Sequence, residues 1–213
     1  MPCFVYLGLR ALLKQSNYLL DEWGDNRMGL HVHNLGNLPA DAEREYFVYM
    51  LDYGWHEPLA EAMRANFTNM ARLASNSKAV VVAGVEPIHF ENEVFSYHGI
   101  NGEDGEKILP ALMITTLHPR YFKEHNGAWR RSGEINDKLL IIPLKKCCKT
   151  TSDVVSLIHK VFKDIEGKKQ LADFGVQKEI KKSGWRAAAD AFILQPNFSG
   201  IGIDLKKLFG QGS

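Results

Sequence analysis

Side chains that could act together in catalysis occur at residues 52–57, between an apolar run and a helical pattern. This short segment holds Asp52, His56 and Glu57. A helix dipole favours the neutral form of a histidine at the helix N-terminus, and a neutral imidazole can act as a general base. In the structural alternative, His56 hydrogen-bonds the loop and Glu57 caps the helix. His56 and Glu57 are the first catalytic candidates.

A second set of ionisable side chains follows at residues 89–98. His89, Glu91, Glu93 and His98 combine imidazoles with carboxylates, a ligand set that suits zinc, iron or manganese. The sequence has no HExxH pattern, so it predicts no metal site. His89, Glu91 and His98 are candidates for a catalytic site that would also include His56.

Apolar periodicity predicts the elements that would position these side chains. Tyr46–Leu51 is an aromatic and apolar run typical of a buried strand, and residues 59–74 have the spacing of an amphipathic helix. Residues 85–108 are polar and irregular, apart from a short predicted helix at 103–108. Further strands are predicted at residues 78–84, 109–116 and 139–144, and a helix capped by Thr151 or Ser152 is predicted to run to Ile165.

The sequence WHEPL at residues 55–59 resembles the active-site turn of the thioredoxin family. In that family a strand leads into a Trp-X-X-Pro-X turn and a helix, and the positions that flank the X-Pro pair are cysteines. Here those positions hold His56 and Leu59, so the resemblance implies the scaffold without its dithiol. Pro110 resembles the cis-proline that opens the third core strand of such folds.

The order of the predicted elements is also similar to that of thioredoxin-like proteins. It reads β-α-β, a connector, and then β-β-α. The resemblance implies an α/β core with a mixed four-stranded sheet at residues 45–167. An N-terminal extension at residues 1–44 and a C-terminal extension at residues 168–213 would flank this core.

The link between the last two core strands separates this fold from its main alternative. A doubly wound parallel sheet would need a helix within residues 119–135. Pro119 and the Asn126-Gly127 pair argue against a long helix there. We therefore expect residues 112–116 to pair antiparallel with the next strand. Pro143 in that strand indicates a sheet edge.

Composition favours an ordinary globular protein of the cytoplasm. Hydrophobic residues make up 45% of the chain and charged residues 24%. Three cysteines, of which Cys147 and Cys148 are adjacent, do not form a disulfide framework, which fits a reducing compartment. The sequence has no apolar run long enough for a membrane span, and its first residues have no basic segment typical of a signal peptide.

Charge is distributed unevenly along the chain. Residues 1–137 hold 12 Lys and Arg against 18 Asp and Glu, whereas residues 138–213 hold 14 against 7. Such a split can mark self-association or an anionic partner. No glycine-rich phosphate loop accompanies the basic residues, so nucleic acid binding is unsupported.

The C-terminal extension is rich in large apolar side chains, among them Trp185, Phe192 and Phe198. So much apolar surface is expected to pack on the core or on a partner, including a second copy of the chain.

Together these patterns predict a redox-inactive, thioredoxin-like module that binds a protein or assembles with itself. Its binding residues would be Trp55, Pro58 and Pro110 beside the turn, with the aromatic residues of the extension. No cofactor is predicted. The alternative is a hydrolase or nucleotide-processing enzyme that uses His56, His89 and His98.

Overall fold

A mixed β-sheet forms the centre of the molecule. The computed structural model describes residues 28–38, 44–97, 105–116, 118, 138–167, 170–171, 174–180, 190–196 and 203–204. The strands are β1 (Gly29–Val32), β2 (Tyr46–Leu51), β3 (Ala79–Gly84), β4 (Ala111–Thr115), β5 (Lys138–Pro143), β6 (Gln170–Leu171), β7 (Phe174–Ile180), β8 (Asp190–Pro196) and β9 (Ile203–Asp204). The α-helices are α1 (Pro58–Ala65), α2 (Phe67–Asn76), α3 (Pro87–Tyr97), α4 (Gly105–Ile108), α5 (Leu144–Cys147) and α6 (Thr151–Glu166), and a 3-10 helix spans Leu35–Asn37.

The main sheet joins seven of the described strands in the order β1-β3-β2-β4-β5-β8-β7. The pairs β1–β3, β3–β2 and β5–β8 are parallel, whereas β2–β4, β4–β5 and β8–β7 are antiparallel. The predicted antiparallel pairing of the last two core strands is therefore confirmed. A separate pair of short strands, β6 and β9, is also antiparallel.

The predicted size of the sheet, four strands, was wrong. The four expected strands lie side by side as β3-β2-β4-β5, but β1 extends the sheet beyond β3, and β8 and β7 extend it beyond β5. Strands β3 and β5 each have a second edge of backbone N–H and C=O groups that needs hydrogen-bond partners. Strand β1 pairs with this edge of β3, β8 pairs with that of β5, and β7 pairs with β8.

Alternate residues of the central strands face two separate hydrophobic clusters. In β2, Val48 and Met50 face a cluster that α1, α2 and α6 cover. Phe47 and Tyr49 face a second cluster, to which α3 contributes buried side chains. The sheet is therefore a buried layer between helices. In the part of the chain that the structure describes, every helix is too short or too polar to span a lipid bilayer.

The single helix predicted at residues 59–74 consists of two helices. Asn66 separates α1 from α2 with φ −92° and ψ 6°, and its side-chain amide donates a 2.8 Å hydrogen bond to the Ala62 carbonyl. Asparagine competes in this way for backbone carbonyls, which favours a helix end over a helix interior. Pro58 begins α1, where its missing N–H is tolerated.

The prediction that residues 85–108 are irregular was wrong for most of the first half of this segment. Residues 87–97 form α3, which starts at Pro87 and directs Phe90 and Val94 into the core. Gly84 permits this packing, because a Cβ atom there would lie 2.1 Å from the Phe90 Cβ. The predicted short helix is present as α4.

Two details near β5 also differ from the sequence-based expectation. Pro143 does not mark a sheet edge, since β5 has a partner on each side. The pairing of β5 with β8 ends at Ile141, so β8 does not need the backbone N–H that Pro143 lacks. The cap of α6 is Thr150, one residue earlier than predicted, in a reciprocal capping box with Asp153.

Candidate functional site

Three segments of the chain meet at the sheet end where β2 stops. Leu51, the last residue of β2, is paired with Ala111, which is also paired with Pro143. Residues 52–57, which we call the Trp55 loop, therefore leave the sheet beside Pro110 and beside the start of α5. The Leu144 N–H donates a 2.8 Å hydrogen bond to the Pro110 carbonyl, and the Leu109–Pro110 bond is cis.

A buried carboxylate holds the Trp55 loop in place. Asp52 is 5% exposed and accepts hydrogen bonds from the Gly54 N–H and, at 2.8 Å, from Arg64 Nη1. Arg64 Nη2 donates to the Trp55 carbonyl at 3.1 Å. Gly54 has φ +75°, a conformation that glycine adopts without steric strain. The loop conformation therefore depends on contacts with α1 as well as on its own sequence.

The loop carries a stacked aromatic pair, of which Tyr53 is partly buried against the core and Trp55 is exposed to solvent. The rings of Tyr53 and Trp55 are stacked with centroids 5.1 Å apart and an interplanar angle of 28°. Trp55 is 60% exposed. Its neighbour Gly54 lies against Pro87, since a Cβ atom on Gly54 would be 3.5 Å from that ring. The Trp55 loop thus meets the start of α3.

Exposed apolar side chains occur on both sides of this contact. The large hydrophobic side chains that stand exposed among the described residues are Trp55, Val85 and Ile88. Val85 and Ile88 flank Pro87, at the end of β3, and β3 is the parallel neighbour of β2. We call these three side chains the apolar patch.

The first catalytic candidates do not form a joint site. The His56 side chain is 98% exposed, and its Nδ1 lies 2.9 Å from Glu61 Oε1. Glu57 is the N-cap residue of α1, but its carboxylate makes no capping hydrogen bond and lies 3.4 Å from Lys145 Nζ. Asp52 is engaged with Arg64. The three side chains predicted as a cluster therefore belong to three separate pairs.

The second set of candidates is also divided. On α3, the exposed His89 lies 3.3 Å from the Glu86 carboxylate, whereas Glu91 is buried. Burial raises the pKa of the Glu91 carboxyl above its usual value. Glu93 accepts a 2.8 Å hydrogen bond from the Leu35 N–H, a structural role. His98 lies outside the described residues.

The described residues contain no group of three His, Cys, Asp or Glu side chains placed to hold a metal ion. The exposed imidazole of His56 contacts Glu61 on α1, whereas that of His89 on α3 contacts Glu86, which precedes the helix. The described contacts therefore place the two imidazoles in separate pairs.

The adjacent cysteines lie at the same end of the sheet as the Trp55 loop. Cys147 ends α5 and is partly buried, while Cys148 is buried, and both are free thiols. Removal from water raises the pKa of Cys147 to about 11 and that of Cys148 to about 12. These thiols are therefore poor nucleophiles at neutral pH.

The remaining predicted binding residues are placed in part. Pro58 is exposed at the start of α1. Phe192 lies in β8, where its backbone is paired with Leu140 of β5 and with β7. Trp185 and Phe198 lie outside the described residues, so an interface made by the C-terminal extension stays a prediction. Arg64 was not predicted, because only the folded loop brings it to Asp52.

Comparisons with models of protein families, with curated proteins and with solved structures found no match for this chain.

Proposed function

We propose that this protein is a redox-inactive, thioredoxin-like module that binds a segment of a partner protein at the Trp55 loop. The proposal has two parts, the relation to the thioredoxin family and the binding role. Each rests on different observations.

The family relation is supported by connectivity. The chain runs β2, α1, α2, β3, α3, α4, β4, β5, α5, α6, with β2 parallel to β3 and antiparallel to β4. The WHEP turn joins β2 to α1, and Pro110 stands immediately before β4, as the corresponding turn and proline do in that family. His56 and Leu59 occupy the positions where the family has its cysteines.

The binding role is supported above all by the exposure of Trp55. A tryptophan side chain that serves only the fold is usually largely buried, whereas that of Trp55 is 60% exposed. Here the Asp52–Arg64 pair fixes the backbone of the loop, so that the ring is presented without a loss of loop entropy on binding. Tryptophan is also among the residues most enriched at the centre of protein interfaces.

The histidine-based enzyme has no comparable support. His56 and His89 contact different glutamates, and the described residues place no nucleophile beside either imidazole. Thiol chemistry has little support as well, because burial disfavours the thiolate of both described cysteines.

Selection from a library of random linear peptides tests the proposal. Binders chosen on the wild-type protein should be lost with Trp55→Ala and largely kept with Trp55→Phe, which retains an aromatic ring. Arg72→Ala, on an exposed part of α2, is the surface control and should bind as the wild type. Peptides that bind wild type and Trp55→Ala equally well would contradict the proposal.

A further inference from the structure

We infer that the partner segment is basic, with a lysine or arginine side chain next to aliphatic residues, and that it lies on the apolar patch between Glu61 and Glu86. This inference rests on the proposed function and specifies the chemistry of the partner. It follows from the way in which charges at this end of the sheet are matched.

Two of the described carboxylates near the loop already have a permanent cation. Asp52 pairs with Arg64 at 2.8 Å and is buried, so its charge is matched inside the protein. Glu57 pairs with Lys145 at 3.4 Å. Neither carboxylate is left to attract a ligand.

Among the described residues, two other carboxylates are paired with a histidine. Glu61 lies 2.9 Å from His56 Nδ1, and Glu86 lies 3.3 Å from His89 Nε2. Unlike lysine or arginine, a histidine carries a positive charge only when it is protonated. Their side chains are 52% and 69% exposed, so a ligand can reach them.

The position of these two carboxylates coincides with the apolar patch. Glu86 stands between Val85 and the start of α3, and Glu61 is in the first turn of α1, directly after the Trp55 loop. Two cations also reach this sheet end, but Lys145 is paired with Glu57 and Arg64 with Asp52, so each is matched by its own carboxylate. The exposed apolar surface is thus bordered by negative charge.

A cationic side chain with an aliphatic stem matches this combination. The stem of lysine or arginine can cover apolar surface while its charged head reaches a carboxylate. A guanidinium or ammonium group over the Trp55 ring adds an attraction between the cation and the ring face. An acidic partner would meet Glu61 and Glu86 with like charge, which disfavours binding.

The test uses the peptides selected on the wild-type protein and dependent on Trp55. We expect them to be enriched in lysine or arginine flanked by aliphatic or aromatic residues. Affinity measured by fluorescence anisotropy should fall about fivefold or more in the double variant Glu61→Gln with Glu86→Gln, since two exposed charge pairs are lost. Replacement of the peptide's arginine by citrulline should weaken binding similarly.

A control variant separates this effect from a change in net charge. Glu45→Gln with Glu166→Gln removes the same charge from carboxylates elsewhere, and it should leave affinity unchanged. Thermal unfolding of both double variants confirms that they are folded.

The outcomes distinguish the two proposals. Peptides that depend on Trp55 but are acidic or uncharged, or that bind the Glu61/Glu86 variant as tightly as the wild type, would overturn the basic partner and leave the binding role intact. A selection that yields no peptide dependent on Trp55 would overturn both.

Discussion

The Asp52 carboxylate and the Arg64 guanidinium form a 2.8 Å ion pair that ties the end of β2 to the last turn of α1. The same guanidinium reaches the Trp55 carbonyl, and the same carboxylate accepts from the Gly54 N–H. One pair of side chains thus determines both the path of the loop and the direction in which Trp55 is presented.

Replacement of Asp52 by alanine should therefore destabilise the protein markedly. The change leaves Arg64, which is one-third exposed, without its anion and leaves the Gly54 N–H without its acceptor. We expect a loss of about 2–3 kcal/mol in the free energy of unfolding, measured with urea. The matched control is Glu45→Ala, which breaks the exposed pair with Lys78 and should cost less than about 1 kcal/mol. Equal losses in the two variants would show that the Asp52 pair has no special role.

The thiols of Cys147 and Cys148 should react slowly in the folded protein. Their pKa values, about 11 and about 12, lie above the usual value of 9.0 because burial disfavours the thiolate. In a Cys3→Ser background, alkylation by iodoacetamide at neutral pH should be at least about tenfold slower in the native than in the unfolded chain.

Insulin reduction should accordingly stay at background. Turnover that disappears with Cys147→Ser would contradict the redox-inactive assignment. Fast native alkylation would instead contradict the burial of the two thiols.

Glu91 should make stability depend on pH. Burial raises the pKa of its carboxyl from the usual 4.5, so the folded state binds the proton more tightly than the unfolded state. The resulting stabilisation is complete below the unfolded pKa and is lost as pH rises through the folded pKa. Glu91→Gln should therefore be more stable than the wild type at neutral pH, and this advantage should vanish at acidic pH.

Thermal melts over a pH series measure this difference. Glu166→Gln, at the exposed end of α6, is the control and should change stability by no more than about 0.5 kcal/mol. A Glu91→Gln variant that is less stable than the wild type at neutral pH would show that the carboxylate has favourable partners that outweigh its burial.

A methyl group at Gly84 should disrupt the packing of α3. The added Cβ would lie 2.1 Å from the Phe90 Cβ, a distance that requires the helix to shift. We expect Gly84→Ala to destabilise the protein by about 1–3 kcal/mol. The same change in a Phe90→Gly background should cost clearly less, because the obstructing Cβ atom is absent, and additive losses in this double-mutant cycle would argue against the steric cause.

Sequence patterns predicted the elements whose residues repeat with a clear period. β2 is a continuous apolar run, and α6 has an apolar stripe at helical spacing. The antiparallel pairing of β4 with β5 followed from the turn residues between them. Helix α3 was missed because Glu91, Asn92 and Glu93 form a polar run and the buried apolar residues of the helix are limited to Phe90, Val94 and Phe95. Pro87 is the first residue of that helix, a position where its missing N–H is tolerated.

The site was predictable in location but not in geometry. WHEPL indicated a strand-to-helix turn, which the structure has between β2 and α1, and Trp55 and Pro110 lie at the same sheet end. The pairs that organise this turn, Asp52–Arg64 and Glu57–Lys145, join residues from different elements. No local periodicity reports such contacts, since they depend on how the folded loop packs against the helices.

The parallel pairing of β8 with β5 has a consequence for dissection and synthesis of the chain. A fragment that ended at Gly167 would contain every element of the expected four-stranded core, yet it would leave one edge of β5 open. Residues 139–142 of β5 are all leucine or isoleucine, and an open apolar edge of this kind recruits strands from other molecules. We therefore expect that fragment to aggregate. During synthesis, β8 leaves the ribosome after β5. In the interval between them this edge of β5 is unpaired, and we expect a chaperone to bind the nascent chain there.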